Sequence, residues 1–270
     1  MDGEERGVVE RSGRQVGWSR VGAGPPLVLL NGYAATAADW DPVFLGALAD
    51  GFEVVLPDHR GMGTSTWGDD DEPLSVASMA ADVAAVMDAL GLSSAPVVGW
   101  SMGGFVAQTL ASHAPERIEA LALLGTDPGG PSAVAADPAV WARLTDASGS
   151  PREQASRLLG VLFPAALAAQ LDEQVGPLVA EGREALDHRV LRAQEAAMDA
   201  WHAATPPPAP SLPTLVACGA LDVVIPAANA PLLAERWQAP TATAFEDCGH
   251  AFMAQVPDVL AAQIKEHLSP

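Results

Sequence analysis

Cysteine, tyrosine and positive charge are all scarce in this chain of 270 residues. The two cysteines, Cys218 and Cys248, make neither a disulfide framework nor a zinc set, and they read as free, buried thiols. Such usage suits a reducing compartment, so the cytoplasm is the expected location. Fourteen Lys and Arg stand against 34 Asp and Glu, for a net charge of −20. That excess opposes binding to nucleic acid or to an anionic membrane, since both need clustered Lys or Arg. A run of about 18 apolar residues is missing, so no transmembrane helix is expected. The opening stretch, Met1-Asp2-Gly3-Glu4-Glu5-Arg6, is acidic and leads into no apolar segment of the kind a secretory signal needs. The run Asp69-Asp70-Asp71-Glu72 reads as a solvated loop, because nothing beside it fixes a metal's coordination geometry.

What is present suits a packed core: 49% hydrophobic against 18% charged residues. Pro26–Leu30 is an almost continuous apolar run, as expected of a strand covered on both faces. Val16–Arg20 and Phe52–Leu56 are further strand candidates, the second ended by Pro57. Ser75 opens a helix whose Val76, Met79, Val83, Val86, Met87 and Leu90 make one apolar stripe, with Gly91 as its stop. Ala95–Gly99, Ser101–Ala114 and Ile118–Leu124 follow as strand, helix and strand. From Thr126 to about Pro210 the alternation breaks into Ala- and Leu-rich helical segments, bounded by Asp127-Pro128-Gly129-Gly130-Pro131 and Pro206-Pro207-Pro208-Ala209-Pro210. It resumes with a strand at Thr214–Cys218, a helix at Pro226–Trp237, a strand at Thr241–Phe245 and a helix at Pro257–Leu268. The pattern implies an α/β class: a doubly wound, mostly parallel sheet formed by 1–125 and 211–270, with an inserted helical cap over 126–210.

The sharpest motif is Gly99-Trp100-Ser101-Met102-Gly103, a G-x-S-x-G that follows a strand and opens a helix. Small residues are required there because the turn is tight, and the turn lifts the serine oxygen above the sheet. A serine at its ordinary pKa is a weak nucleophile and needs a base, and the base needs an orienting group. Of the six histidines, His113, His188, His202 and His267 read as surface or packing residues. His250, in Asp247-Cys248-Gly249-His250, follows the last strand and is the candidate base. Asp222, just past the preceding strand, is the candidate acid, with Asp127 in reserve. The order Ser101, Asp222, His250 is that of α/β-hydrolases.

These segments resemble a lipase- or esterase-like α/β-hydrolase with a cap. Two earlier stretches add to the likeness. In Leu29-Leu30-Asn31-Gly32-Tyr33 the resemblance implies that the Tyr33 N–H forms an oxyanion hole with the N–H of Met102. Asn31 stands where family members usually have His. Asp58-His59-Arg60-Gly61-Met62-Gly63-Thr64-Ser65 is similar to the family's D-x-R-G-x-G-x-S turn, which implies a structural turn tied by Asp58 and Arg60.

The expected activity is hydrolysis of a small-molecule carboxylic ester or lactone through an acyl-enzyme on Ser101, with no metal and no organic cofactor. Perhydrolysis and hydrolytic C–C cleavage use the same three residues and stand as alternatives. A non-catalytic ligand-binding protein of this fold is the alternative from another class. Asn31, Trp100, Trp141 and Trp201 are the expected pocket residues, with Phe163, Leu167 and Met198 as further candidate lining from the insertion.

Overall fold

A computed structural model of the chain describes residues 4–68 and 73–268, so the acidic run Asp69–Glu72 lies outside it. Among the described residues eight strands form one sheet. Across the sheet the order is β1 (Glu5–Arg11), β2 (Arg14–Gly22), β4 (Glu53–Pro57), β3 (Pro26–Leu30), β5 (Ala95–Trp100), β6 (Ile118–Leu124), β7 (Thr214–Gly219) and β8 (Ala242–Phe245). The β1–β2 and β2–β4 pairs are antiparallel, and every pair from β4 through β8 is parallel. The sheet is therefore mostly parallel, with one antiparallel edge.

Strand side chains alternate between faces, and the core divides accordingly. Val28, Leu30, Val97, Leu121 and Val216 pack under α2 (Val76–Ala89), α3 (Met102–His113) and α9 (Asn229–Trp237). Leu27, Leu29, Val54, Val98, Ala122 and Ala217 pack under α1 (Pro42–Ala49) and α10 (Pro257–Leu268). Both faces being covered explains why these strands read as unbroken apolar runs. Ser75 caps α2 by accepting from the Ser78 N–H at 3.0 Å. Two elements escape the hydrophobic pattern. Strand β1 is an edge strand whose exposed positions include Glu5, Arg6 and Glu10 as well as Val8, and helix α1 is short and apolar all round behind its Asp41 cap.

Five helices, α4 (Pro138–Thr145), α5 (Pro151–Leu162), α6 (Ala165–Gln174), α7 (Gly176–Glu184) and α8 (His188–Ala203), lie between β6 and β7. No strand interrupts them among the described residues. Their starts follow capping chemistry: Asp137, Ser150 and Asp187 accept from first-turn amides, and Pro138 and Pro151 occupy first helical positions. On α8 the residues Val190, Leu191, Gln194, Ala197, Met198 and Trp201 are buried at three- and four-residue spacing. Among the described residues no helix is long and apolar enough to cross a membrane.

Candidate active site

Ser101 sits between β5 and α3 with φ 56° and ψ −124°, a conformation that ordinary side chains avoid and that costs about 1–3 kcal/mol. The Ser101 N–H donates to the Leu124 carbonyl at 3.0 Å, which holds the turn against β6. Glycine is obligatory on both sides. A Cβ at Gly99 would lie 2.5 Å from the Gly103 carbonyl oxygen, and one at Gly103 would collide with the carbonyls of Leu30 and Asn31. The motif thus lets β5, α3 and the end of β3 meet backbone to backbone.

His250 arrives on the loop after β8 and is 2% exposed. The Trp100 indole N–H donates to its carbonyl at 3.1 Å, and the two rings lie 5.1 Å apart. Asp222, after β7, accepts the Val224 and Ile225 amides on one oxygen at 2.8 and 2.9 Å. Its other oxygen lies 2.7 Å from His250 Nδ1, while His250 Nε2 lies 3.0 Å from Ser101 Oγ. A carboxylate only accepts, so Nδ1 carries the proton and Nε2 is left to accept from the Ser101 hydroxyl.

The reserve acid is engaged elsewhere. Asp127 is 3% exposed and accepts from the Gly129 N–H at 2.8 Å and the Trp201 indole at 3.3 Å. Its second oxygen faces His202 Nε2 at 2.9 Å. Burial lowers the His202 pKa, but the Asp127 hydrogen bond and charge outweigh it and leave the imidazole above its ordinary value. Asp222 alone of the two acids reaches His250.

The Tyr33 and Met102 amides, the implied oxyanion donors, have no protein acceptor among the described residues. Asn31 braces the first of them from below. Its side-chain oxygen accepts the Gly32 N–H at 2.9 Å, its amide donates to the Thr36 carbonyl, and its own carbonyl accepts from His59 Nε2 at 2.9 Å. Complete burial pushes the His59 pKa down, so the ring stays neutral as that donor. Asp58 ties the following turn by accepting from the Ala37 and Thr64 amides. Arg60 instead reaches Asp82, which also pairs with Arg11 and Arg14.

A cavity of about 280 Å³ opens beside Ser101. Trp141, Leu144 and Met198 from the inserted helices line it, as do Tyr33, Val224 and Ile225. Three of the four expected pocket residues are absent from its wall. Asn31 is turned into the loop just described. Trp100 packs behind His250 and against Trp40 at 5.9 Å. Trp201 stacks on Phe105 at 5.3 Å and spends its N–H on Asp127. At 6% exposed, Trp201 is part of the packing and not of the cavity wall. Phe163 and Leu167 are likewise not part of the wall, whereas Met198 is.

Two residues of α8 that no sequence motif marks, Gln194 and Glu195, also reach this loop. Gln194 Oε1 accepts the Ala34 N–H at 2.9 Å, and Glu195 accepts the Tyr33 hydroxyl at 2.6 Å. Burial and the Glu195 hydrogen bond together raise the Tyr33 pKa and keep the phenol protonated. The available signal was a glutamine on the apolar stripe of α8. Both cysteines are free and buried; burial pushes the Cys218 thiol up to about 11 and raises Cys248 as well. No cluster of three metal-ligating side chains exists among the described residues.

Residues 25–255 match the model of the alpha/beta hydrolase fold family, and the chain belongs to that family of hydrolases. Particular relatives carry more specific names. A putative carbamate hydrolase of Azorhizobium caulinodans is 31% identical over 88% of this chain and 89% of its own length. A non-heme chloroperoxidase of Streptomyces lividans is 31% identical over the same shares, 88% and 89%. A pimeloyl-[acyl-carrier protein] methyl ester esterase of Aeromonas hydrophila is 32% identical over 86% of this chain and 91% of its own length.

Proposed function

We propose that this protein is a serine hydrolase that cleaves a small carboxylic ester or lactone through an acyl-enzyme on Ser101. The observation that carries the reading is the hydrogen-bonded line Asp222–His250–Ser101, at 2.7 and 3.0 Å, beside an apolar cavity. Ser101 Oγ attacks the carbonyl carbon as its proton passes to His250 Nε2, and Asp222 stabilises the imidazolium. The oxyanion is held by the Tyr33 and Met102 N–H groups, each such donor contributing about 3–4 kcal/mol. His250 then protonates the leaving alcohol. Water enters, loses a proton to His250 and releases the acid.

The cavity, at about 280 Å³, is small beside ligand sites of about 300–1,000 Å³, and its lining is apolar apart from Ser101, Tyr33, Asp127 and His202. A short or medium apolar acyl group fits that chemistry. The helices of 126–210 act as a cap that shapes this space and sheds water from it. Acidic charge and buried free thiols suit a cytoplasmic enzyme.

The test is labelling with a fluorophosphonate, followed by a panel of esters, lactones, carbamates, peracid-forming mixtures and dienoates. An adduct on Ser101 with turnover led by esters or lactones is expected. Absence of any adduct on Ser101 overturns the enzymatic reading in favour of a ligand-binding protein. Turnover confined to peracid formation, carbamates or dienoates overturns the ester assignment.

A further inference from the structure

Three consecutive amides form the loop that faces Ser101, and they are treated unequally. The Gly32 N–H is held by the Asn31 side chain at 2.9 Å. The Ala34 N–H is held by Gln194 Oε1 at 2.9 Å. Only the Tyr33 N–H between them is left without a protein acceptor among the described residues. An amide clamped on both sides by its neighbours has a fixed direction. Ala34 makes the clamp necessary, because its φ of 57° is disfavoured for a residue with a Cβ and persists only where the surroundings enforce it.

The two holds come from opposite sides. Asn31 belongs to the sheet end. Gln194 lies 160 residues further along the chain, on α8 of the inserted helices, and is fully buried. The next residue on α8 adds a second tether, because the Tyr33 phenol donates to Glu195 at 2.6 Å. A hydroxyl donating to a carboxylate is among the stronger hydrogen bonds available to a side chain.

We propose that Gln194 is a positioning residue of the oxyanion hole, aided by Glu195, so that α8 belongs to the catalytic apparatus as well as to the pocket. This rests on the reading of Tyr33 as an oxyanion donor. Gln194 touches no substrate; it acts through the Ala34 amide on the direction of the Tyr33 N–H. A misaimed donor leaves ground-state binding intact and weakens only the hold on the tetrahedral oxyanion.

The experiment uses Gln194→Met, which keeps length and burial but loses the acceptor, Gln194→Glu, which keeps an acceptor for the Ala34 N–H, and Glu195→Ala. Each is titrated for active sites with a fluorophosphonate. KM and kcat are then measured on a 4-nitrophenyl ester, together with the affinity for a matching trifluoromethyl ketone. Addition of Ser101 Oγ to that ketone, with the serine proton passing to His250, places an alkoxide in the hole. Gln194→Met is expected to lose about 10- to 100-fold in both kcat and ketone affinity with KM within about threefold, against the about 10²–10³-fold cost of removing a donor outright. Gln194→Glu is expected to recover most of the loss, and Glu195→Ala to lose about three- to tenfold. Unchanged ketone affinity per active site in Gln194→Met, or equal losses in Met and Glu, overturns the proposal. Should Gln194→Met fail to fold, Glu195→Ala decides: a fall in ketone affinity at wild-type Tm supports the tether, and no fall overturns it. A wild type that takes no label on Ser101 refutes the hydrolase reading itself, a distinct outcome.

Discussion

Replacing Asp222 by Asn tests the acid assignment at the level of a single proton. Asp222 Oδ1 is committed to the Val224 and Ile225 amides, both donors. An asparagine must therefore keep its carbonyl oxygen on that side and turn its NH₂ towards His250 Nδ1. Nδ1 then has to accept, the ring proton moves to Nε2, and Nε2 can no longer take the proton of Ser101. The wrong tautomer costs about 10⁴ in kcat in a comparable triad, or about 5.4 kcal/mol of barrier. Asp127→Asn is the matched control. Its Oδ1 partners, the Gly129 and Trp201 N–H groups, are likewise donors, so the new NH₂ faces His202 and not His250. Its effect on kcat is expected to stay below about tenfold, with loss of a half-exposed charge-assisted hydrogen bond costing stability of about 1 kcal/mol. The assay is kcat and kcat/KM on a 4-nitrophenyl ester, normalised to folded protein by circular dichroism. A loss of less than tenfold in Asp222→Asn, or a greater loss in Asp127→Asn, refutes the reasoning.

Ser101→Ala should lower kcat by about 10⁴–10⁶ while urea unfolding stays close to wild type, since among the described residues the side chain's hydrogen-bond partner is His250 alone; near-normal turnover would rule out the covalent route. Trp141→Ala should reorder a series of acyl chain lengths, because the ring forms a cavity wall, whereas Trp201→Ala should cost about 3–5 kcal/mol in urea unfolding through lost packing on Phe105. The pair His202–Asp127 should make stability pH-dependent. Its folded pKa is raised, so its contribution is complete below the unfolded value of about 6.5 and fades as pH rises through the folded value. The gap in Tm between wild type and Asp127→Asn, with Asp199 acting on His202 in both, should therefore be wider at pH 5.5 than at pH 9; a constant gap would show that His202 carries no charge in the fold.

The fold was legible wherever apolar pattern and burial coincide. Strands β3, β5 and β6 are covered on both faces, and their sequences say so. Strand β1 hid because Glu5, Arg6, Glu10 and Arg11 leave this edge strand without an apolar run, and α1 because a helix apolar on all sides has no stripe to detect. Ser101, Asp222 and His250 were legible for a different reason: each follows a strand, and the chemistry admits few residue types at those turns. The pocket was legible only in Trp141 and Met198. Which face an aromatic residue presents depends on how inserted helices sit on the sheet, and Trp201 satisfied its indole on Asp127 instead. Gln194 could not be singled out because its role arises from Ala34, a residue distant in sequence whose strained backbone is invisible in the sequence.

Strands β6 and β7 are neighbours, and Leu121 N–H donates to the Pro213 carbonyl at 2.9 Å, so the inserted helices leave the sheet and rejoin it side by side. For the sheet, exchanging this piece between relatives is a clean transplant: neither flanking strand changes register, and Ser101, His250 and Asp222 all remain with the recipient. For the loop facing Ser101 it is not. The acceptor for the Ala34 amide travels with the donor segment. A chimaera that inherits a pocket of new shape also inherits a new grip on amide 33, so its altered selectivity and its altered rate would share one origin and could not be tuned apart until a matching acceptor was restored at position 194.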